Sequence, residues 1–476
     1  MAAIGDSYSA GIGAGDRLGD DSQALDKNSD WACSRYDHAY PYIVNSDPRL
    51  GDNKGRTFEF KSCSGAVAQD VATIQIPALT PGQQVILLSV GGNDAEFPNV
   101  LNQCIYQWAV FTKAQAAVAK VAVLDADYKW AEDIDWETLS RGCADQLQHS
   151  RSIIESDDFA TSIEAVLTLA ISKLADNGVI YFTGYGKFFD EEYTNECSTV
   201  SWSTWVSKAW NSYAEAKLTY DLRRVMNGLV DRTNAKLKSI AANHPSNVIF
   251  IDYDSYIGKW GGRFCEPGVD ESTRESNTRP HLMFYELDSI DAFGTNPWKR
   301  STNGDLSGTF AGQLDMFAEI TRQFDPHTEF RDKEIDDSTI GTSTLASSVL
   351  SEDRIADIEL PDIPVPNVLP DGYGRVFHPQ VLLHQIISNL VVWNINNVRY
   401  AQAGQLQFPQ DLKLDSCPTG PGQDVPLDNK PHCDHDLDNI QSDLFRKIVG
   451  RYCADHGDLT LHSNAVYMAQ PTWASG

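Results

Sequence analysis

Short apolar runs alternate with longer amphipathic stretches along this chain. Four apolar runs, each followed within a few residues by glycine, asparagine or aspartate, predict strands at Ala2 to Ile4, Val85 to Val90, Val179 to Thr183 and Val248 to Asp252. Apolar positions at helical spacing predict helices at Phe111 to Leu124, Ile163 to Ala175 and Thr219 to Ala242. Because strands and helices alternate, we expect an α/β fold with a parallel sheet covered by helices on both faces.

The intervals between the predicted strands are longer than a minimal strand-helix-strand unit needs. We therefore place insertions over the carboxyl edge of the sheet at about residues 190–220, 261–305 and 331–370. The first two are rich in aromatic residues such as Trp202 and Trp298. Aromatic faces cover acyl chains and sugar rings alike, so these insertions either wall a substrate cleft or form satellite hydrophobic clusters.

The composition changes again near residue 405. Residues 1–405 are expected to form the main domain, and residues 406–476, rich in proline and aspartate, a C-terminal appendage with one helix around Leu437 to Ala454. The cluster His432-Cys433-Asp434-His435 lacks the four-ligand spacing of a structural zinc site, so we predict no metal. No glycine-rich phosphate loop or dinucleotide fingerprint is visible, and no cofactor is expected.

Composition and net charge indicate which classes of molecule this protein is not expected to bind. The 476 residues are 42% apolar and 10% aromatic, which is sufficient for a packed core. A net charge of −28 disfavours nucleic acids and anionic membrane surfaces, because both would repel the protein. No run approaches about 18 consecutive apolar residues, so no transmembrane segment is predicted. The oligomeric state stays open.

The candidate chemistry begins at Gly5-Asp6-Ser7, directly after the first apolar run. A serine between a short strand and a glycine-bearing turn can present a nucleophilic hydroxyl. Taken alone, such a sequence is usually an ordinary turn. Three later segments complement it chemically: Cys63-Ser64-Gly65-Ala66, Gly91-Gly92-Asn93-Asp94 and Phe377-His378-Pro379.

A serine hydroxyl needs a base to act as a nucleophile near neutral pH, and the candidate base is His378. When Ser7 attacks an ester carbonyl, fixed donors facing the developing oxyanion lower the barrier by roughly 3 kcal/mol each. The candidate donors are the backbone N–H groups of Ser7 and Gly65 and the side-chain amide of Asn93. His384 is a rival base, but its apolar surroundings at helical spacing favour a structural role.

Together, and in this order, these blocks resemble those of the SGNH hydrolases, also called GDSL esterases and lipases. The resemblance covers roughly residues 1–400, and Arg263-Phe264-Cys265-Glu266-Pro267 is most similar to the secreted fungal and actinobacterial branch. It implies a three-layer α/β/α sandwich with a mainly parallel, flavodoxin-like sheet and long insertions. It also implies a secreted carboxylic ester hydrolase with Ser7 and His378 as catalytic residues and an oxyanion hole formed by Ser7, Gly65 and Asn93.

The ester itself stays open. We expect short or medium acyl chains, with a lipase or phospholipase and a carbohydrate acetyl esterase as alternatives. A glycan- or lipid-binding protein that keeps the fold without turnover is the non-enzyme alternative, and a glycosidase is disfavoured because no carboxylate pair stands out.

One position departs from the family pattern. Many members carry an aspartate three residues before the histidine, where this chain has Arg375. Either Asp371 reaches back to His378, or a backbone carbonyl near Arg375 accepts the imidazole N–H. The second alternative, favoured here, gives a serine–histidine dyad whose imidazolium is stabilised less than beside a carboxylate.

Nine cysteines in loops suggest an oxidising compartment. In sequence order they pair as Cys33 with Cys63, Cys104 with Cys143, Cys197 with Cys265 and Cys417 with Cys433, and the first three pairs resemble those of the secreted branch. Cys453 is left without a predicted partner. Because a strand is predicted from residue 2, we interpret Met1 as replacing a removed leader peptide.

Overall fold

A computed structural model of the protein describes most of the predicted main domain. The described residues are 1–23, 26–51, 53–107, 110, 113, 116–117, 135–192, 196–203, 205–207, 216–273, 276, 279, 281–286, 289, 328–330 and 374–404. The third predicted insertion, the C-terminal appendage and nearly all of the predicted helix Phe111 to Leu124 lie outside the described residues.

Seven strands lie in the described part of the chain: β1 Ala2–Gly5, β2 Glu59–Phe60, β3 Gln83–Ser89, β4 Leu174–Thr183, β5 Trp205–Ser207, β6 Val248–Ile251 and β7 Thr328–Phe330. Five of them form one parallel sheet in the order β2-β1-β3-β4-β6, and β5 pairs antiparallel with β7 in a separate ribbon. This parallel order is the flavodoxin-like arrangement, so the fold prediction is confirmed.

Ten α-helical segments are described: α1 Ser7–Ala10, α2 Tyr40–Ser46, α3 Ala68–Asp70, α4 Phe97–Leu101, α5 Trp136–Leu139, α6 Cys143–Glu155, α7 Asp157–Ile171, α8 Tyr220–Ala241, α9 Asp254–Lys259 and α10 Val381–Gln402. Shorter turns are 3₁₀ at Asp21–Gln23, Pro48–Leu50, Asn53–Gly55 and Cys197–Thr199, and π at Val71–Gln75 and Asn102–Tyr106. Two helix groups, α2 with α10 and α6 with α7 and α8, flank the sheet. Among the described helices, none has the length and apolarity to cross a bilayer.

The central strands are apolar because helices cover them. In β3 the side chains from Val85 to Ser89 are all buried, and Ile4 of the adjacent β1 is fully buried. A strand covered on both faces loses the alternation of apolar and polar residues and shows a continuous apolar run instead. This is why four of the five sheet strands were predictable.

The predicted boundaries of one strand and one helix were wrong. Strand β4 begins at Leu174, before the predicted Val179. The helix predicted to reach Ala175 ends at Ile171, because the chain turns and pairs with the neighbouring strand from Leu174. It also begins earlier than predicted, since the Ser156 side chain caps it by accepting the Phe159 N–H. The short strand β2 was missed because Glu59–Phe60 is too short to show a hydrophobic period.

Three predicted disulfides are confirmed: Cys33–Cys63, Cys104–Cys143 and Cys197–Cys265. The predicted pair Cys417–Cys433 and the remaining Cys453 lie outside the described residues. The first disulfide joins the segment after α1 to the segment that carries Gly65. It therefore braces two of the candidate blocks against each other.

Candidate active site

The turn between β1 and α1 carries Ser7. Gly5 ends β1 with φ +124°, and a Cβ there would lie 1.9 Å from the carbonyl oxygen of Ser89 on the neighbouring strand, so only glycine fits. The side chain of Asp6 caps α1 by accepting the Tyr8 N–H at 3.0 Å. The turn places Ser7 at the carboxyl edge of the sheet, where open α/β sheets bind ligands.

Ser7 and His378 are in direct contact although 371 residues separate them. The Ser7 Oγ lies 2.6 Å from His378 Nε2, and His378 Nδ1 lies 3.1 Å from the carbonyl oxygen of Val376. A carbonyl can only accept, so Nδ1 carries the proton and Nε2 offers its lone pair to the serine. The structure thus has a backbone-carbonyl arrangement, whereas Asp371 lies outside the described residues.

His378 is in the neutral form that a general base requires. Desolvation of the partly buried ring lowers its pKa to about 4, although the carbonyl groups of Val376 and Arg375 oppose this by favouring the charged form. The imidazole is therefore neutral from weakly acidic to neutral pH. Neutral imidazole is the form that accepts a proton from a serine.

This pKa sets the acid limb of the pH profile. Because the imidazolium cannot accept the serine proton, kcat/KM for ester hydrolysis is expected to stay level down to about pH 5 and to fall about tenfold per pH unit below about pH 4. Initial rates in buffers from pH 3 to 8 measure this, with product quantified by chromatography. Circular dichroism at each pH controls for acid unfolding, and a midpoint near the ordinary histidine value of about 6.5 contradicts the assignment.

The segments that carry the candidate oxyanion donors follow neighbouring strands or are hydrogen-bonded to them at the carboxyl edge of the sheet. Within the described residues, the backbone N–H groups of Ser7 and Gly65 donate to no protein acceptor. Gly65 has φ +83°, and the neighbouring Cys63 N–H donates to Gly5 O at 2.9 Å. Asn93 Nδ2 donates to Ala66 O at 2.9 Å, which uses one of its two amide hydrogens. The oxyanion-hole role of these groups stays a prediction.

An aromatic cluster holds the histidine loop. Phe377 has φ +62°, an uncommon conformation for a large side chain. Tyr8 donates from its hydroxyl to Phe377 O at 2.8 Å and packs its ring 5.0 Å from the His378 ring. The Phe377 ring also contacts five other aromatic rings, those of Tyr106, Phe188, Phe189, Trp202 and Phe264. These contacts fix the backbone next to the base. Phe377 belongs to the predicted segment Phe377-His378-Pro379, but the sequence assigned no role to its ring or to Tyr8.

Two other predictions about side chains can be placed. Trp202 of the first insertion is buried and stacks on Tyr106, so it belongs to this cluster and does not face solvent. His384 lies on α10, where Nδ1 accepts the Tyr40 N–H at 3.2 Å and burial lowers its pKa to about 3. His384 is therefore a neutral structural residue.

Asp94 was not singled out from the sequence but joins two blocks. Its carboxylate oxygens lie 2.9 and 3.1 Å from the Ala68 nitrogen, at the start of the helix that follows Gly65. Burial raises the pKa of Asp94 to about 6, while the hydrogen bond from Ala68 opposes the shift. The carboxylate ties the Asn93 loop to the Gly65 segment.

Comparison with known proteins gives partial matches. No family model matches the chain. Lipase 1 of Streptomyces coelicolor is 33% identical over 121 residues, and a lipase of Streptomyces rimosus is 31% identical over 121 residues. Each match covers 25% of this chain and 40% of the relative, so the chain spans well under half the length of these curated relatives.

Two solved structures are also similar to this chain. Phospholipase A1 from Streptomyces albidoflavus is 24% identical with a TM-score of 0.37, covering 56% of this chain and 83% of that one. An extracellular lipase from Streptomyces rimosus is 21% identical with a TM-score of 0.37, covering 56% and 84% respectively.

Proposed function

We propose that this chain, whose curated lipase relatives support its resemblance to the SGNH hydrolases, is a carboxylic ester hydrolase that works through an acyl-serine intermediate. The observation that carries the proposal is the pairing of Ser7 Oγ with His378 Nε2 at 2.6 Å. The Val376 carbonyl fixes the tautomer that this pairing requires.

In the proposed reaction, Ser7 Oγ forms a bond to the ester carbonyl carbon while His378 Nε2 takes the hydroxyl proton. The carbonyl electron pair moves onto oxygen, facing the backbone N–H groups of Ser7 and Gly65 and the amide of Asn93. As the carbon–oxygen single bond breaks, Nε2 returns the proton to the leaving alcohol. Water then attacks the acyl-serine by the same route and releases the acid.

A carbonyl in place of a carboxylate changes the energetics of this dyad. The Val376 oxygen orients the ring and accepts the Nδ1 proton, but it carries no full charge to stabilise the imidazolium. The oxyanion donors therefore supply a larger share of the stabilisation. This makes their placement important for the rate.

Short or medium acyl esters are the proposed substrates. The aromatic rings of Tyr106 and Phe188, which pack on Phe377 next to His378, support an apolar acyl group. The second candidate is a lipase or phospholipase, which the names of the similar proteins favour.

We propose secretion as well, since three disulfides suit an oxidising compartment and one similar structure is of an extracellular lipase.

A panel of esters tests this proposal. We expect nitrophenyl acetate, butyrate and octanoate to be hydrolysed with kcat/KM at least about tenfold above that for palmitate, because a short apolar site discriminates by chain length. The panel includes emulsified triglyceride, phosphatidylcholine and acetylated xylan. A strict preference for long-chain emulsified lipids contradicts the short-chain proposal and favours the lipase. Binding of glycans or lipids without turnover contradicts the enzyme proposal altogether.

A further inference from the structure

Tyr185 places a buried hydroxyl beneath the candidate site. It follows β4 by two residues, and only 2% of it is exposed. Its hydroxyl donates to the Asp6 carboxylate at 2.5 Å and accepts the Gly92 N–H at 2.8 Å. One phenol oxygen therefore connects the turn that carries Ser7 to the loop that carries Asn93.

The Asp6 carboxylate, which accepts the hydrogen bond from Tyr185, is held by two further hydrogen bonds. Asp6 is buried and also accepts the Ser89 hydroxyl at 2.5 Å and the Tyr8 N–H at 3.0 Å. Burial raises the pKa of Tyr185 well above its ordinary value, and the Asp6 charge adds to the shift. The phenol therefore keeps its proton and remains the donor to Asp6.

On its other side, the Tyr185 hydroxyl accepts a hydrogen bond from Gly92, in the loop that carries Asn93. A Cβ at Gly92 would lie 3.1 Å from the ring of Tyr185, so the phenol packs directly on this backbone. The next residue, Asn93, donates its amide to Ala66 O beside Gly65. A continuous set of hydrogen bonds and covalent neighbours thus runs from Ser7 through Tyr185 to Asn93 and Gly65.

Tyr185 itself is held firmly. Asn234 on α8 accepts the Tyr185 N–H at 2.8 Å and donates to Tyr185 O at 2.7 Å. The ring meets Tyr8 edge-on, with centroids 5.0 Å apart. These contacts fix the location of the hydroxyl, so Tyr185 can in turn hold Asp6 and Gly92 in place.

We propose that Tyr185 is a positioning residue for the oxyanion donors, acting on Asn93 through Gly92 and on Ser7 through Asp6; the inference rests on the proposed function. Stabilisation of an oxyanion depends on donors that are already in place before charge develops. Loss of the hydroxyl leaves the Gly92 N–H and the Asp6 carboxylate each one partner short. The loop then relaxes, and small displacements of catalytic donors cost large factors in rate.

The test is Tyr185→Phe, which removes one oxygen and keeps the ring. We expect kcat for nitrophenyl butyrate to fall about 10- to 100-fold, with KM changed less than about twofold, because the donors act on the transition state. Inactivation by a fluorophosphonate, whose phosphoryl oxygen takes the place of the oxyanion, is expected to slow by a similar factor. The matched control is Tyr253→Phe, since within the described residues the buried Tyr253 hydroxyl has no hydrogen-bond partner.

The results separate this inference from the proposed function. If the wild type hydrolyses esters and Tyr185→Phe matches it in kcat, the inference is wrong while the function stands. A loss confined to KM, or an equal loss in Tyr253→Phe, also overturns it. A wild type without esterase activity overturns the proposed function and the inference together. If Tyr185→Phe does not fold, Asn234→Ala removes the clamp on Tyr185 and is expected to lower kcat in the same direction.

Discussion

Ser7→Ala is expected to lower kcat for ester hydrolysis by at least about 10⁴-fold while the protein keeps its fold. The hydroxyl oxygen is the atom that bonds to the acyl carbon, and alanine has no group that could take its place. Only binding and the oxyanion donors then accelerate attack by water. Initial rates with nitrophenyl butyrate measure the loss, with thermal unfolding as a check that the variant is folded.

The matched control for this variant is Ser62→Ala. Ser62 is buried close in sequence to Gly65, and within the described part of the chain its hydroxyl has no hydrogen-bond partner. Its removal is expected to leave kcat unchanged. Equal activity in Ser7→Ala and wild type would show that another group is the nucleophile.

His378→Ala is expected to lower kcat by at least about 10³-fold, because the serine proton then has no base to accept it. Since Ser7 and His378 act as a unit, the double variant is expected to be no slower than Ser7→Ala alone. Steady-state rates of the two single variants and the double variant measure this non-additivity.

The control for His378→Ala distinguishes the two buried histidines. His384→Asn keeps an acceptor near the position of Nδ1 for the Tyr40 N–H, so it is expected to retain kcat. An additive loss in the double variant, or a larger loss in His384→Asn than in His378→Ala, contradicts the dyad.

The sheet was largely predictable because its strands are covered on both faces. Continuous apolar runs such as Val85 to Val90 signal such strands directly. The pair Glu59–Phe60 carries no such signal, since two residues cannot show a period. The end of α7 was predicted too late because the helical spacing of apolar residues continues past Ile171. Leu174 instead pairs with the neighbouring strand and belongs to the sheet.

Some parts of the candidate site could be predicted from the local sequence, whereas others depend on tertiary packing. Gly5-Asp6-Ser7 is a local turn, and its glycine is required by contact with the adjacent strand. The order of the blocks pointed to Ser7 and His378, but the acceptor for Nδ1 was left between Asp371 and a carbonyl. Backbone geometry at Val376 follows from the packing of Phe377, which no spacing in the sequence encodes.

Tyr185 shows why a supporting residue escapes sequence reasoning. Its hydroxyl bonds to residues 179 and 93 positions away, and the loop that carries it contains no catalytic motif. A buried tyrosine after a strand is typical of a core residue. Its position between Asp6 and Gly92 follows from the tertiary fold and from no local sequence pattern.

The most direct measurement of the central claim is peptide mass spectrometry after treatment with a fluorophosphonate. Attack by an activated serine on phosphorus expels fluoride and leaves a stable phosphonyl-serine. The dyad predicts one adduct per chain, on the peptide that contains Ser7, formed far more slowly in His378→Ala. An adduct on a different serine, or labelling of Ser7 at the same rate without His378, would contradict the proposed pairing of nucleophile and base.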